Sequence, residues 1–498
     1  MNFRILPRFH QSAGVLLGGI TLLVATVLGV GCGGTTKVQG TLPGTVVVSI
    51  SDPPSCMAPN GSSTSFTSVF ITVRSVQAHI DPKADDNSSG WQELAPQLAN
   101  APKQIDLFAT PTNCVLAQLG SASLPAGSYQ QIRLLLVSNN PAASAATPSS
   151  NACAGNGFNC VVLSDNSIHE LQLSSQDNTG LKIPPGQIVG GPLQVSAGQS
   201  VDLNIDFNAC ASIVREGNGT YRLKPTLTAG QVSANNSGIG GQVVDSLTKA
   251  PISGNVLVAI EQTDGTGVDR ILMQTAADAN GNFRFCPLPT GTFDIVIDAV
   301  DANNRPYNAT AVLNVPNGTN LSTIPLIAET GATAPAVLQG FVTATKGASA
   351  ATADVTLAAL QTVTPSGSAS RQITVPLESI KAIGATPATS STELVSVESS
   401  TNCPAGAPAN ANCVQYTLVV PASNPNVGVF TSSGVSYTAP AGGDVLFTVD
   451  AQAFVPLIGT ADCTPPEATS AKDDSNLPLK AIAAMTTKVA RIDFSGCS

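Results

Sequence analysis

Short runs of valine, isoleucine and threonine, each closed by glycine or proline, recur from Thr45 to Phe494 and set the terms on which this chain folds. Branched side chains of this kind suit a pleated, half-buried surface, and 44 glycines and 35 prolines supply the turns between runs. Charged residues make up only 11% of the chain, against about 25% in ordinary soluble domains. Few Lys, Glu or Arg leaves few helix surfaces, so the fold class expected is all-β. At 498 residues the chain exceeds one sandwich, and about 100 to 200 residues per domain suggests about three in tandem. A net charge of −10 with no basic cluster excludes nucleic acid as a partner class.

The first region, 45–232, opens with the alternating strand Thr45–Ile50 and a turn at Ser51-Asp52-Pro53-Pro54. Val69, Ile71 and Val73 share one face. Val76, Ala78 and Ile80 then take over one residue out of phase, which predicts a β-bulge near Arg74-Ser75. Asp81 to Gly90 is a polar loop, and Trp91 opens the return. Gln131 to Val137 is apolar on both faces apart from Arg133, the pattern of a central strand. Val201 to Phe207 places Asp202, Asn204 and Asp206 outward, and Tyr221 to Leu227 places Arg222 and Lys224 outward. The opposite charges suggest that these two strands pair.

SISDPP, SVFITVRSVQAHI, the Trp, IDLF, LPAGSYQQIRLLLV, VDLNIDFNACASIV and YRLKPTL occur in that order from Gly44 to Gln231. This series resembles a bacterial lipoprotein domain family known only as a domain of unknown function (family 4382 type). The resemblance implies an exported β-sandwich-like domain and supplies no activity.

The second region, 239–329, follows a Gly/Ser/Asn linker. Gly240 to Asp245 starts a strand, Pro251 to Gly254 turns, Val256 to Ile260 is the next strand, Asp278 to Phe283 reads as a hairpin, and LPTGTF (288–293) is a second turn. Over Ile239 to Ile327 the sequence resembles the carboxypeptidase regulatory-like domain, a prealbumin-type β-sandwich. Such domains usually serve as spacers, stalks or docking modules. Some relatives carry a Lys-Asn crosslink; here the first strand holds no lysine and Lys249 sits in a loop, so none is expected. LPAGSY and LPTGTF share one expectation: proline fixes the approach, glycine takes φ > 0, and the aromatic enters the core.

The third region, 335–498, is Ser/Thr/Ala-rich, with strands expected at Val337–Val342, Val355–Leu360, Tyr416–Val420, Val445–Val449 and Val489–Phe494. Tyr437-Thr438-Ala439-Pro440 resembles a turn of bacterial Ig-like repeats, which implies an Ig-like unit. Its end, Ile492-Asp493-Phe494-Ser495-Gly496-Cys497, echoes Ile205-Asp206-Phe207-Asn208-Ala209-Cys210 and suggests a duplicated final strand.

Ahead of these regions, Arg4 and Arg8 precede an uncharged stretch from Ser12 to Gly31, the layout of an export signal at 1–31. Its length approaches the ~20 residues of a membrane helix, which keeps a retained helix as the rival reading. Cys32-Gly33-Gly34 resembles the lipobox of bacterial lipoproteins, although the leucine expected three places before the cysteine stands at Leu28. The resemblance implies lipid attachment at Cys32, a lipid-anchored linker at 32–44, and a membrane partner through that anchor. Gly33 in place of Asp favours outer-membrane sorting by the same resemblance.

Ten cysteines remain, an even number in an oxidising compartment. Cys153 with Cys160 and Cys403 with Cys413 bracket short loops that have little core, where a staple contributes about 2 to 3 kcal/mol. Cys463 with Cys497 and Cys56 with Cys114 are the next pairings. Cys210 and Cys286 either bridge two regions or stay free and buried. No C-x-x-C occurs and histidine is nearly absent, so no metal site is expected.

No nucleophile elbow, phosphate loop or dinucleotide fingerprint appears, and neither a cofactor nor a catalytic set is expected. His169-Glu170 lacks the second ligand of a zinc-protease helix, since residue 173 is Leu. His79 reads as a solvated strand histidine, Trp91 as a core aromatic, and Asp81, Asp85 and Asp86 as a solvated turn in preference to a calcium loop. Asp278-x-Asn280-Gly281 has its glycine at the wrong place for an EF-hand. The function expected is that of a cell-envelope lipoprotein of β-sandwich modules, acting in surface interaction, adhesion or envelope structure, with an envelope or extracellular protein or glycan as partner. The alternative is an extracellular polymer hydrolase drawing acid/base carboxylates from Asp52, Asp81, Asp106 and Asp206.

Overall fold

The alternation Val46, Val48, Ile50 places one face of the opening strand, Gly44–Ser51, in the dark, and all three side chains are fully buried. The computed structural model describes residues 42–51, 66–109, 117–143, 146–173, 179–183, 187–207, 209, 212–215, 219–224, 227–232, 238–264, 266–289, 291–365, 369–377, 391, 394–401, 403–454 and 463–497. The signal and linker readings at 1–41, Cys32, Asp52, Cys56, Cys114 and Cys210 lie outside them. Among the described residues the structure is all-β, and no helix is long and apolar enough to cross a membrane. Residues 41–498 form one compact unit.

Two sheets enclose the first core. One has the order Ile188–Val189, Leu227–Gln231, Ser200–Phe207, Gly44–Ser51, Ala117–Leu124, and its two middle strands run parallel, with Ile50 opposite Ile205 and Ser51 opposite Asp206. The other is centred on Phe66–His79, whose neighbours include Gln131–Leu136 and Cys160–Leu163. Its register shifts between Val73 and Ser75, the bulge expected from the phase change. Gln131–Leu136 lies between two strands and is buried throughout. Val48, Ile205 and Phe207 from one sheet meet Ile71, Leu134 and Val161 from the other in a single apolar cluster, which makes this a sandwich.

Of the expected pairing of Val201–Phe207 with Tyr221–Leu227, only the last rung, Phe207 opposite Leu227, occurs. Ser200–Phe207 pairs with Leu227–Gln231, whereas Tyr221–Leu223 belongs to the opposite sheet, beside Ile213–Arg215 and Ile168–Gln172. The chain changes sheets between the two runs, and the charges of Arg222 and Lys224 are met elsewhere.

The second region packs a three-stranded sheet (Asn282–Phe285, Ile239–Asp245, Asn320–Leu326) against Gly254–Thr263, Val268–Ala276 and Thr292–Asp301 over a core that includes Val258, Phe285, Phe293 and Ile324. Asp278–Phe283 is not a hairpin. Val268–Ala276 before it pairs with Gly254–Thr263, and Asn282–Phe285 after it pairs with Ile239–Asp245, so the turn arches between two sheets. Gly281 needs its φ of +78° there, and a Cβ would fall 2.2 Å from the Val243 carbonyl oxygen. The two Leu-Pro turns do deliver buried aromatics, Tyr129 and Phe293. Only Gly291 takes positive φ, however; Gly127 does not, so the shared glycine is a backbone necessity at one turn alone.

The second region's large sheet continues into the third region on both sides. Thr310–Pro316 pairs with Asn426–Thr431, and Val268–Ala276 pairs with Arg371–Val375, which leads on to Ala353–Val363 and Thr448–Phe454. Opposite it, Ala336–Lys346 is flanked by antiparallel Asn412–Val420 and by parallel Thr486–Lys488 and Ile492–Phe494. Leu338, Tyr416 and Phe494 from this smaller sheet meet Val355, Leu357 and Val449 from the large one.

Cys153 is bonded to Cys160, Cys403 to Cys413, and Cys463 to Cys497. Cys286 is disulfide-bonded as well, which removes the free-thiol reading for it.

Candidate functional site

The acids named for a hydrolase do not converge among the described residues. Asp81 follows the strand Phe66–His79, where its carboxylate accepts the N–H of Lys83 in a turn. Asp106 pairs across from Phe70, eleven residues before Asp81 and so roughly 35 Å from it along the extended chain. Its Oδ1 accepts the backbone N–H groups of Val69 and Phe108 at 3.1 and 3.0 Å, so it closes a strand end. Asp206 lies in the other sheet.

Asp206 is 5% exposed, contrary to its outward position in the alternation. The face it shares with Asn204 is covered by Leu272, Met273 and Pro287 to Pro289 of the second region, leaving a cavity of about 30 Å³, the room of one water. Within this seam donors run in one direction. Ser49 Oγ donates to Asn204 Oδ1 at 3.1 Å, Asn204 Nδ2 to Ser51 Oγ at 2.7 Å, and Ser51 Oγ to Asp206 Oδ1 at 2.7 Å. Burial pushes the Asp206 carboxyl up to about 7, and the Ser51 bond only partly opposes it.

His79 is also buried, at 6% exposure, where a solvated ring was expected. The loop after it folds back: Nδ1 accepts the Asp81 N–H at 2.9 Å, and Nε2 lies 3.0 Å from the Ser89 carbonyl, a pair of bonds that suits the neutral ring. Trp91 is half-buried beside it. The Arg133 guanidinium lies 4.0 Å from the Trp91 ring centroid, and Arg133 Nε donates to Gln77 Oε1 at 2.7 Å. Asp86 pairs with Lys182 at 2.7 Å. The loop's polar groups are spent on one another; among the described residues no group of three or more His, Cys, Asp or Glu is placed to hold a metal ion. His169 and Glu170 stand in the strand Ile168–Gln172, and Asp278 caps its own turn through the N–H groups of Asn280 and Asn282.

Charge is sparse in this chain, and several charged groups are buried where the regions meet. Arg222 of the first region forms a two-pronged bond with Asp354 of the third, one prong at 2.6 Å, and Lys224 donates to Thr356. All three charged residues are at most 8% exposed. Arg270 of the second region reaches Asp450 and Glu467 of the third. Arg371 of the third reaches Asp269 at 3.1 Å and Asp294 at 2.6 Å in the second. Burial raises Asp450 to about 6 against the pull of Arg270, and burial together with the nearby Glu329 charge raises Asp298 to about 7. Sequence reading named Arg222 and Lys224 with the wrong partners and missed the other groups. Asp294 and Asp298 inside the otherwise apolar TFDIVIDAV were a visible signal, because an acid in a fully buried strand needs a partner; the identity of that partner was not visible.

The outer face of the three-stranded sheet carries an open groove of about 600 Å³. Gly240, Gln242, Asn282, Arg284, Asn320 and Thr323 line it with amides, a hydroxyl, bare backbone and one exposed guanidinium, a surface suited to polar hydrogen-bonding ligands.

Residues 43–225 match the family model described as a domain of unknown function (DUF4382). No curated protein matches. Among solved structures, the chain is similar to the Bacillus anthracis TIE protein (10% identity, TM-score 0.15, 91% of this chain), of which it spans 50% of the length. It is likewise similar to the shaft pilin SpaA from Lactobacillus rhamnosus GG (10% identity, TM-score 0.17, 58% of this chain and 98% of that one). A putative adhesin from Bacteroides ovatus is similar at 11% identity and TM-score 0.15, over 52% of this chain and 92% of that one. Likenesses at these TM-scores carry no argument about what this chain does.

Proposed function

We propose that this protein is an exported, disulfide-stapled β scaffold, tethered to the cell envelope through lipidated Cys32, that holds a polar surface outward for interaction with an envelope or extracellular protein or glycan. The observation that carries the reading is where the charge goes. Arg222, Arg270 and Arg371 tie region to region, so these ionic groups serve a fixed architecture, while the open groove is lined mostly by amides, hydroxyls and backbone, with Arg284 its one charged side chain among the described residues. Disulfides at 153–160, 403–413 and 463–497 support an oxidising compartment. The outer-membrane leaflet and the regulatory-like spacer role of 239–329 belong to the same proposal.

Intact mass of the membrane-fraction protein, before and after reduction and alkylation, tests it. The expected mass begins at Cys32 and carries a diacylglycerol and an acyl group, with the other ten cysteines protected until reduction. An unmodified Cys32, or several thiols free without reduction, overturns the reading. Deletion of the gene should then weaken attachment or envelope integrity; a strain unchanged in both argues against the interaction role.

A further inference from the structure

The joint between Val268–Ala276 and Arg371–Val375, where the large sheet passes from the second region to the third, has unusual chemistry. The two strands share only two register pairs, Val268 with Gln372 and Asp269 with Ile373. The rest of the joint is made by side chains. Thr374 N–H, in place of a ladder bond, goes to Glu261 Oε2 at 3.2 Å, and Thr374 Oγ1 donates to the Asp269 carbonyl at 2.7 Å. Arg371 spans Asp269 and Asp294. Glu261, Asp269 and Asp294 are 0%, 0% and 4% exposed.

The charge count is unbalanced. Glu261 on Gly254–Thr263 stands in register with Asp294 on Thr292–Asp301, and Asp269 comes from Val268–Ala276. The charged groups acting on Glu261 are Asp269, Asp294 and Arg371. The neutral neighbours are Thr263, which donates to Asp269, Asn314, whose N–H reaches Asp294 at 2.7 Å, and Thr374. Three carboxylates therefore face one guanidinium. Arg270, next in sequence to Asp269, is committed to Asp264, Asp450 and Glu467. Glu261 Oε1 is buried and receives no hydrogen bond, so an ionised Glu261 would hold an unpaired charged oxygen there, a cost that protonation of the carboxyl removes.

We infer that this joint is a proton-operated latch: strand Arg371–Val375 docks on the second region with at least one proton held by Glu261 or Asp294, and raising the pH loosens it. Opening exposes the carboxyls to water, where they ionise and release the proton. The opening constant therefore rises about tenfold per pH unit for each proton released, from above the ordinary carboxylate range up to the pKa of the docked cluster. Burial, opposed by Arg371, places Asp294 at about 7, and burial also raises Glu261 well above its ordinary value, so the window is about pH 5 to 7.

Hydrogen exchange of the full chain, disulfides intact and corrected for the intrinsic pH dependence of amide exchange, reads the latch at Gln372 and Thr374 between pH 5 and 7. Amides of Leu338–Val342 serve as reference. The expected result is loss of protection by about tenfold per pH unit at Gln372 and Thr374, beyond any change at the reference. The neutral pair E261Q/D294N should be nearly flat over the same range. Wild-type protection at Gln372 and Thr374 that is constant with pH overturns the inference, and does so even where the double variant fails to fold. A folded double variant that keeps the wild-type slope overturns it as well.

Discussion

Ile205-Asp206-Phe207 and Ile492-Asp493-Phe494 build the same local structure at two places. Each is a strand lying parallel to the first strand of its own region. In each the phenylalanine is sealed in a core, and the aspartate accepts a hydroxyl from its register partner, Ser51 at 2.7 Å in one case and Thr343 at 2.6 Å in the other. Their electrostatics are opposite. Asp206 lies under the second region and is raised to about 7 by burial. At Asp493, partial burial works against ionisation but bonds from Arg491 and Thr343 outweigh it, and a side chain 38% exposed is held below the ordinary carboxylate range. Local pairing is thus a property of the six residues, whereas ionisation is a property of what lies on top of them.

The likeness should survive where the two sites share a core and fail where they do not. Phe207→Ala and Phe494→Ala should each cost about 3 to 5 kcal/mol, since both rings are almost wholly buried. Urea midpoints that differ severalfold in loss would break the equivalence of the two strands.

Replacing the aspartates should separate the sites. Asp206 has its folded pKa above the unfolded value near 3.8, so its contribution is intact below pH 4 and is lost as pH rises toward 7. Asp206→Asn should therefore leave the chain more stable than the wild type at pH 8, by roughly 2 to 4 kcal/mol, and level with it near pH 4. Asp493 has the opposite sign: its contribution is present above the unfolded value and lost as pH falls through the lowered one. Asp493→Asn should cost well under about 1 kcal/mol at pH 7, because solvent screens the pair. Denaturation across pH 4 to 8 with disulfides intact checks both, and slopes of the same sign would sink the contrast.

The smallest effect sharpens the same point. Ser51→Ala takes the donor from a buried carboxyl and should cost about 1 to 2 kcal/mol at pH 8, whereas Thr343→Val should cost about 0.5 kcal/mol, since Asp493 keeps Arg491. Equal losses would mean that the overlying region leaves Asp206 as well solvated as Asp493.

Much of the fold was legible because its signals are local. The period of two in Gly44–Ser51, the phase change at Val73–Ser75 and the apolar run Gln131–Leu136 each follow from side-chain alternation along one strand. Pairing across distance was less legible. Tyr221–Leu223 was assigned to the wrong neighbour because charge complementarity between two strands says nothing about a third partner, and Asp354 stands 132 residues further on. Asp278–Phe283 has hairpin chemistry and yet arches between sheets, since Asp caps and a left-handed Gly serve either connection. His79 and Asp206 were placed in water by alternation, which tells the two faces of a strand apart and is silent on what covers the second one.

By itself the sequence determined that this chain makes strands, where many of them begin and end, and which face of each is apolar, because those properties depend on neighbours within a few residues. Only the tertiary structure decided which strands cross from one region to the next, that Arg222, Arg270 and Arg371 serve as ties between regions, and that Asp206, Glu261 and Asp294 leave water. Those outcomes depend on surfaces far apart in sequence coming together, and the free energy of a charge is set by the medium around it, which no residue carries alone.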